Sequence, residues 1–261
     1  MIIPEKIRAL LGDRVGTENN VGMSGSSVII FDDCVLKAEK RTPETDSAMD
    51  MLRWLQGKLP VPKILAQENA NEISWLLMSK ADGVMSCDSH YLKRPFELMA
   101  LLAEGLKALW AADTAGCPKI RSLDDMLREA AFRVENGLVD MDNTEPDTFG
   151  PNGFRDPGAL LDWLIANKPE EDWALTHGDY CLPNLFLKGG KVSCFIDLGD
   201  TALSDRWRDI ALCWRSMNSN FAGAYGGPVY ENPDPERLFR ELGIRPDWDR
   251  IRWHILLDEL F

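Results

Sequence analysis

The spacing of apolar residues changes once along this chain, near residue 80. Before that point, short apolar runs alternate with turn residues; after it, apolar positions recur every three or four residues over long stretches. Residues 5–12 fit a short amphipathic helix. The run Gly22-Met23-Ser24-Gly25-Ser26-Ser27-Val28-Ile29-Ile30-Phe31 reads as a small-residue turn feeding a strand. Asp32-Asp33 suits a hairpin turn, and Cys34-Val35-Leu36-Lys37 its return strand. Residues 44–56 give a helix with Met49, Leu52 and Leu55 on one side. Val61–Leu65 and Ile73–Met78 read as two more strands. Beyond Ala81-Asp82-Gly83, helices are expected at 95–113, 122–136, 157–167, 205–222, 234–242 and 247–260. Residues 140–156 read as an acidic loop, and 185–196 as a hairpin around Gly189-Gly190. The class is α+β. A small antiparallel sheet with one helix (1–78) joins through a hinge (79–83) to a larger, mainly helical lobe (84–261).

Composition narrows the function. With 261 residues, 45% hydrophobic content and nine tryptophans, the chain has the means for two packed lobes around one cleft. No apolar run approaches the about 18 residues of a membrane span. The start, Met1-Ile2-Ile3-Pro4-Glu5-Lys6, lacks the layout of a signal peptide. Six scattered cysteines without C-x-x-C spacing fit free thiols in a cytoplasmic protein. The formal charge of −13 disfavours nucleic acid, whose phosphates need clustered Lys and Arg. An acidic cleft attracts a polycation instead, although acidity alone implies only solubility.

The chemistry lies in His177-Gly178-Asp179-Tyr180-Cys181-Leu182-Pro183-Asn184 and Phe195-Ile196-Asp197-Leu198-Gly199. An acid is followed five residues later by an amide and thirteen after that by a second acid, around an apolar hairpin. Phosphoryl transfer from ATP needs this set: Asp179 to orient the attacking hydroxyl and accept its proton, Asn184 and Asp197 to hold magnesium on the phosphates. That is the equipment of a two-lobed protein-kinase-like fold. Lys37, at the end of an apolar strand, fits as the ammonium on the α- and β-phosphates. The turn with Ser24, Ser26 and Ser27 offers backbone N–H groups and hydroxyls to the same phosphates, or is simply a small hairpin turn.

The chain resembles the aminoglycoside phosphotransferases, most of all the 3′-type kanamycin and neomycin kinases. The matching stretches are His177-Gly178-Asp179 with Asn184, Phe195–Gly199, Asp205-Arg206-Trp207-Arg208-Asp209-Ile210-Ala211, Gly57–Pro62, Leu76–Ser79 with Ala81-Asp82-Gly83, and Ile255–Phe261. The resemblance implies Asp179 as catalytic base, Asn184 and Asp197 on magnesium, and Lys37 with the Ser24–Ser27 loop on the nucleotide phosphates. It implies backbone groups of Ser79 and Ala81 on the adenine edge. Glu259, the terminal carboxylate of Phe261 and acids of the 142–147 loop, Asp147 foremost, would meet the ammonium groups of the antibiotic. Arg215 would organise these carboxylates.

Three positions depart from the family pattern. Ala48 stands where the helix after Lys37 offers a glutamate, with Glu44, Asp46 and Asp50 within a turn. Asp200 replaces an arginine, and Val35 an aromatic ring that stacks on adenine, which leaves ATP against GTP open. Two other readings stay open: a kinase of another small hydroxylated substrate, and a nucleotide-binding pseudokinase. A substrate panel separates the first, and the intact Asp179, Asn184 and Asp197 argue against the second. Oligomeric state is not encoded in any pattern of this kind.

Overall fold

The computed structural model describes residues 3–19 and 26–261. Ser24, and with it most of the expected phosphate turn, therefore lies outside the described residues. Strands β1 (Thr17–Asn19), β2 (Ser27–Ile30), β3 (Cys34–Lys40), β4 (Ile64–Ala70) and β5 (Ile73–Ser79) form an antiparallel sheet in the order β1-β2-β3-β5-β4. The pleat divides β3 by residue parity. Cys34, Leu36 and Ala38 join Trp75, Leu77 and helix α1 (Glu5–Leu11) in a small core on one face. Val35, Lys37 and Glu39 take the other face.

Helix α2 (Pro43–Leu55) covers that other face. Thr42 and Thr45 cap it reciprocally, with Pro43 in the first turn, where its missing N–H costs nothing. Its buried Met49, Met51, Leu52 and Leu55 belong to the same cluster as Leu98, Leu102 and Leu106 of the helical lobe. The helix is thus packed into the large core and tied to it again by Trp54 Nε1, which donates to the Ala115 carbonyl at 3.2 Å.

Strands β6 (Val84–Met85), β8 (Leu185–Lys188) and β9 (Lys191–Phe195) form a small sheet, and β7 (Trp173–Thr176) pairs with β10 (Ala202–Asp205). Around them lie α3 (Ser89–Leu92), α4 (Pro95–Trp110), α5 (Leu123–Glu135), α6 (Pro157–Ala166), α7 (Trp207–Phe221), α8 (Arg237–Leu242) and α9 (Trp248–Asp258). Leu98, Leu102, Leu106 and Leu109 of α4 are fully buried, each worth about 1.5–3 kcal/mol of transfer free energy. A second cluster joins α5 and α6 to Trp253, Leu256 and Leu257 of α9.

The elements differ from the sequence expectation where tertiary pairing overrides local pattern. The strand expected at 61–65 begins at Ile64 and runs to Ala70. Pro62 has no N–H for a ladder, and an edge strand tolerates the polar Gln67-Glu68-Asn69. The expected helix 205–222 begins at Trp207, because 202–205 pairs with β7. The chain bends at Gly83, with φ +104° and a Cβ position 2.4 Å from the Leu187 carbonyl oxygen, so no side chain fits there.

Candidate active site

Strand β7 delivers the chain to His177, after which residues 178–181 turn into a short 3₁₀ segment, Leu182–Asn184. Buried polar groups fix this turn. The Asp209 carboxylate, fully buried in the first turn of α7, accepts from the His177 N–H at 2.6 Å and the Gly178 N–H at 2.9 Å. Burial pushes the Asp209 carboxyl above its usual range, against the opposing effects of His177, the two amide donors and Arg208. Arg208 Nε donates to the Gly178 carbonyl at 2.8 Å, and Thr201 Oγ1 to the His177 carbonyl at 3.1 Å. Gly178 has φ +86°, and a Cβ there would lie 2.4 Å from the Asp200 carbonyl oxygen. The His177 ring closes the arrangement. Its Nε2 lies 2.9 Å from the Ile196 carbonyl, which can only accept, and its Nδ1 receives the Asp179 N–H at 3.3 Å.

Asp179, Asn184 and Asp197 converge on this frame. Asn184 Nδ2 donates to the Asp179 carbonyl at 3.0 Å and to Asp179 Oδ2 at 2.8 Å. Both partners are acceptors, so the amide nitrogen belongs there and the amide oxygen is left for another partner. The Ile196 N–H donates to the Asn184 carbonyl at 2.9 Å, which brings the second acid alongside. Asp197 follows with φ +58°, a left-handed conformation that aspartate tolerates better than most residues. One carboxylate and one amide oxygen form a hard donor set that fits magnesium, which commonly takes one or two carboxylates and completes its shell with substrate phosphates and water. Among the described residues no group of three or more His, Cys, Asp or Glu is arranged for a metal.

A cavity of about 120 Å³ opens between β3, β5, α2 and residues 196–199. Lys37 and Glu39 line it from β3, Ser74, Leu76 and Met78 from β5, Ala48 and Leu52 from α2, and Asp197 from below. Lys37 Nζ lies 2.8 Å from Glu39 Oε2. The acids of α2 do not meet the lysine: Asp46 pairs with Arg41, Asp50 with Arg53, and the exposed Glu44 does not line the cavity. Ser27 requires a correction. It pairs directly with Ala38, so its side chain shares the face of Leu36 and Ala38, opposite Lys37, and its hydroxyl does not enter the cleft. Ser26 precedes β2 and is half-buried. At the end of β5 the Ser79 N–H donates to the Lys63 carbonyl at 2.8 Å, while Ala81 takes part in no such backbone bond among the described residues. Val35 pairs with Met78.

The acids at the end of α9 gather around two arginines of α7. Arg215 pairs with Asp258 and reaches Glu259 Oε1 at 3.6 Å. Arg208 Nη2 meets Asp258 Oδ1 at 3.2 Å, which ties this cluster to the Gly178 turn. Burial pushes the Glu259 carboxyl up, against the pull of the Glu145 N–H, which donates to it at 2.9 Å, and of Arg215. Glu145 is thus the loop acid that adjoins Glu259. Asp147 makes no such bond among the described residues, and both loop acids line a larger cavity of about 600 Å³ with Trp163 and Trp248. The main-chain oxygen of Phe261 accepts from Arg133, and the Arg121 guanidinium sits 5.4 Å from the Phe261 ring centroid. Arg121 also holds Asp200 at 3.2 Å, with Lys119 at 3.7 Å, so the Asp200 charge is countered by two cations.

Residues 32–254 match the model of the phosphotransferase enzyme family. The aminoglycoside 3′-phosphotransferase of Enterococcus faecalis is 42% identical over 224 residues, covering 84% of this chain and 80% of that protein. The chain belongs to the aminoglycoside phosphotransferase family. The aminoglycoside 3′-phosphotransferase of Niallia circulans is 34% identical over 99% of this chain and 97% of its own length. Among solved structures, an aminoglycoside-3′-phosphotransferase of type VIII superposes with a TM-score of 0.78 at 25% identity, covering 98% of this chain and 97% of that one. The aminoglycoside phosphotransferase APH(3″)-Id of Streptomyces rimosus reaches 0.82 at 24% identity, covering 97% of this chain and 95% of that one. This likeness shows the two-lobed fold.

Several groups that build the site escaped the sequence reading. Glu39 carries a signal in hindsight, since residues two apart on a strand share a face. Arg208 and Asp209 lie within a matched motif, yet their grip on the 177–178 backbone depends on how α7 docks. Lys119 and Arg121 carry no local signal for Asp200, eighty residues away in the chain.

Proposed function

We propose that this protein transfers the γ-phosphoryl group of ATP to a hydroxyl of an aminoglycoside, the 3′-hydroxyl, with magnesium as the required cation. The observation that carries this reading is the Asp179 carboxylate, anchored by Asn184 at 2.8 Å on a turn that buried Asp209 and Arg208 immobilise. The names of the 34–42% identical relatives supply the substrate class. A Streptomyces rimosus structure with this fold holds ADP and streptomycin, which supports the same pairing of nucleotide and antibiotic.

In this reading the aminoglycoside hydroxyl donates its hydrogen to Asp179 while its oxygen attacks the γ-phosphorus. The bond from that phosphorus to the bridging oxygen breaks, ADP leaves, and the proton passes to Asp179. Lys37 steadies the phosphates. Asn184 Oδ1 and Asp197 would hold magnesium, whose chemistry here is to neutralise phosphate charge. Glu145, Asp147, Asp258 and Glu259 would receive the ammonium groups, with Arg215 bridging Asp258 and Glu259 and screening their mutual repulsion. An opposite-charge pair at 4 Å is worth ~1 kcal/mol in water and ~4 kcal/mol near a protein surface, so several such pairs orient one hydroxyl toward Asp179.

Coupled ADP release tests the proposal with ATP, magnesium and a panel of kanamycin, neomycin and lividomycin, which lacks the 3′-hydroxyl. Turnover is expected with kanamycin and neomycin and absent with lividomycin. Asp179→Asn should lower kcat by about 10²–10⁴ without altering the circular dichroism spectrum. Turnover of lividomycin would move the reaction to another hydroxyl. Failure of the whole panel, with nucleotide binding intact, would overturn the substrate class.

A further inference from the structure

We infer that Glu39 is the counterion that positions Lys37 for the nucleotide, a role that protein kinases give to a glutamate on the helix packed against the sheet. The inference rests on Lys37 being a phosphate-binding residue. Ala48, a helix position that lines the cleft, has no charge to offer. None of the acids nearest to it on α2 is paired with Lys37 among the described residues. Asp46 accepts from Arg41 through both oxygens and Asp50 from Arg53 at 2.7 Å, while Glu44 is exposed and outside the cleft lining. Glu39, by contrast, lies on the cleft face of β3 with its Oε2 2.8 Å from Lys37 Nζ, both side chains about one quarter exposed at 24% and 28%.

The consequence follows from where the pair is built. When the carboxylate sits on a helix, helix and strand must stay docked for the lysine to be placed. Here both charges belong to one strand, and the β2–β3–β5 register fixes them: Lys37 lies between Val28 and Leu76, and Glu39 opposite Ser74. The lysine is therefore set for the phosphates whatever small shifts α2 makes. A half-buried ammonium with no carboxylate of its own would be drawn toward the nearest other acid, and Asp197 lines the same cavity.

The test is titration of the full chain with magnesium and a non-hydrolysable ATP analogue, without aminoglycoside. Glu39→Gln should weaken the analogue about tenfold, the scale of one charge-assisted hydrogen bond, with the melting temperature unchanged. Ala48→Glu in the Glu39→Gln background should recover the loss by returning the carboxylate from the helix side. Should Glu39→Gln fail to fold, Glu39→Asp gives the same reading, because one methylene less breaks the 2.8 Å contact. Unchanged affinity in the single variants, or a loss that the second carboxylate does not recover, overturns the inference. Because the readout needs no antibiotic, it is independent of the proposed substrate. Aminoglycoside turnover with unaltered Glu39→Gln nucleotide affinity sinks this inference alone; a silent antibiotic panel with the Glu39 effect present sinks only the function.

Discussion

At the scale of single residues, burial decides which charges behave as their type suggests. His254 is fully buried, with Nε2 3.3 Å from Asp205 Oδ2 and Nδ1 without a partner among the described residues. Burial holds its pKa below the usual 6.5, against the upward pull of Asp205. Below about 6.5 the unfolded chain binds a proton that the folded chain refuses, so stability falls as pH drops through that value. Melting temperature between pH 8 and 5 should decline on the acid side, and His254→Gln should flatten the decline. An identical slope in the variant would remove His254 from the account. The Glu259 carboxyl, pushed up by burial, should begin to protonate at a higher pH than an ordinary glutamate, which starts to weaken polycation binding from that end.

At the scale of elements, α7 does more than fill the core. Its first turn brings Asp209 under the 177–178 backbone and Arg208 onto the Gly178 carbonyl and Asp258. The turn that bears Asp179 and the acids at the end of α9 are thereby held by neighbouring residues of one helix. Asp209→Ala leaves two buried N–H groups without acceptors, at about 1–3 kcal/mol each. We expect a lower urea midpoint and a loss of kcat that exceeds any change in nucleotide affinity. Full activity in a destabilised variant would show that the turn keeps its shape without this carboxylate. The elements expected from sequence were mostly those with strong periodicity, such as α2, α4 and the β8–β9 hairpin. Strands β7 and β10 leave no local signal because each is four residues long and pairs with the other, distant in sequence.

At the scale of the whole molecule, acids exceed bases by 42 to 29, and those near the proposed substrate region come from the 145–147 loop and the end of α9. Raising salt from about 0.1 to about 1 M shortens the screening length from about 10 to about 3 Å. The KM for kanamycin should therefore rise several-fold while kcat at saturation changes little; a salt-independent KM would show that charge does not steer this substrate. The sequence by itself carried the family and the α+β class, and it singled out the proposed trio Asp179, Asn184 and Asp197, because these lie in one short stretch with a recognisable spacing. Folding alone assigned the partners. Glu39 rather than an α2 acid meets Lys37, Glu145 rather than Asp147 adjoins Glu259, Ser27 turns from the cleft, and Lys119 with Arg121 neutralises Asp200. Charge partners are chosen by proximity in space and by desolvation, and neither quantity is written in the local order of residues.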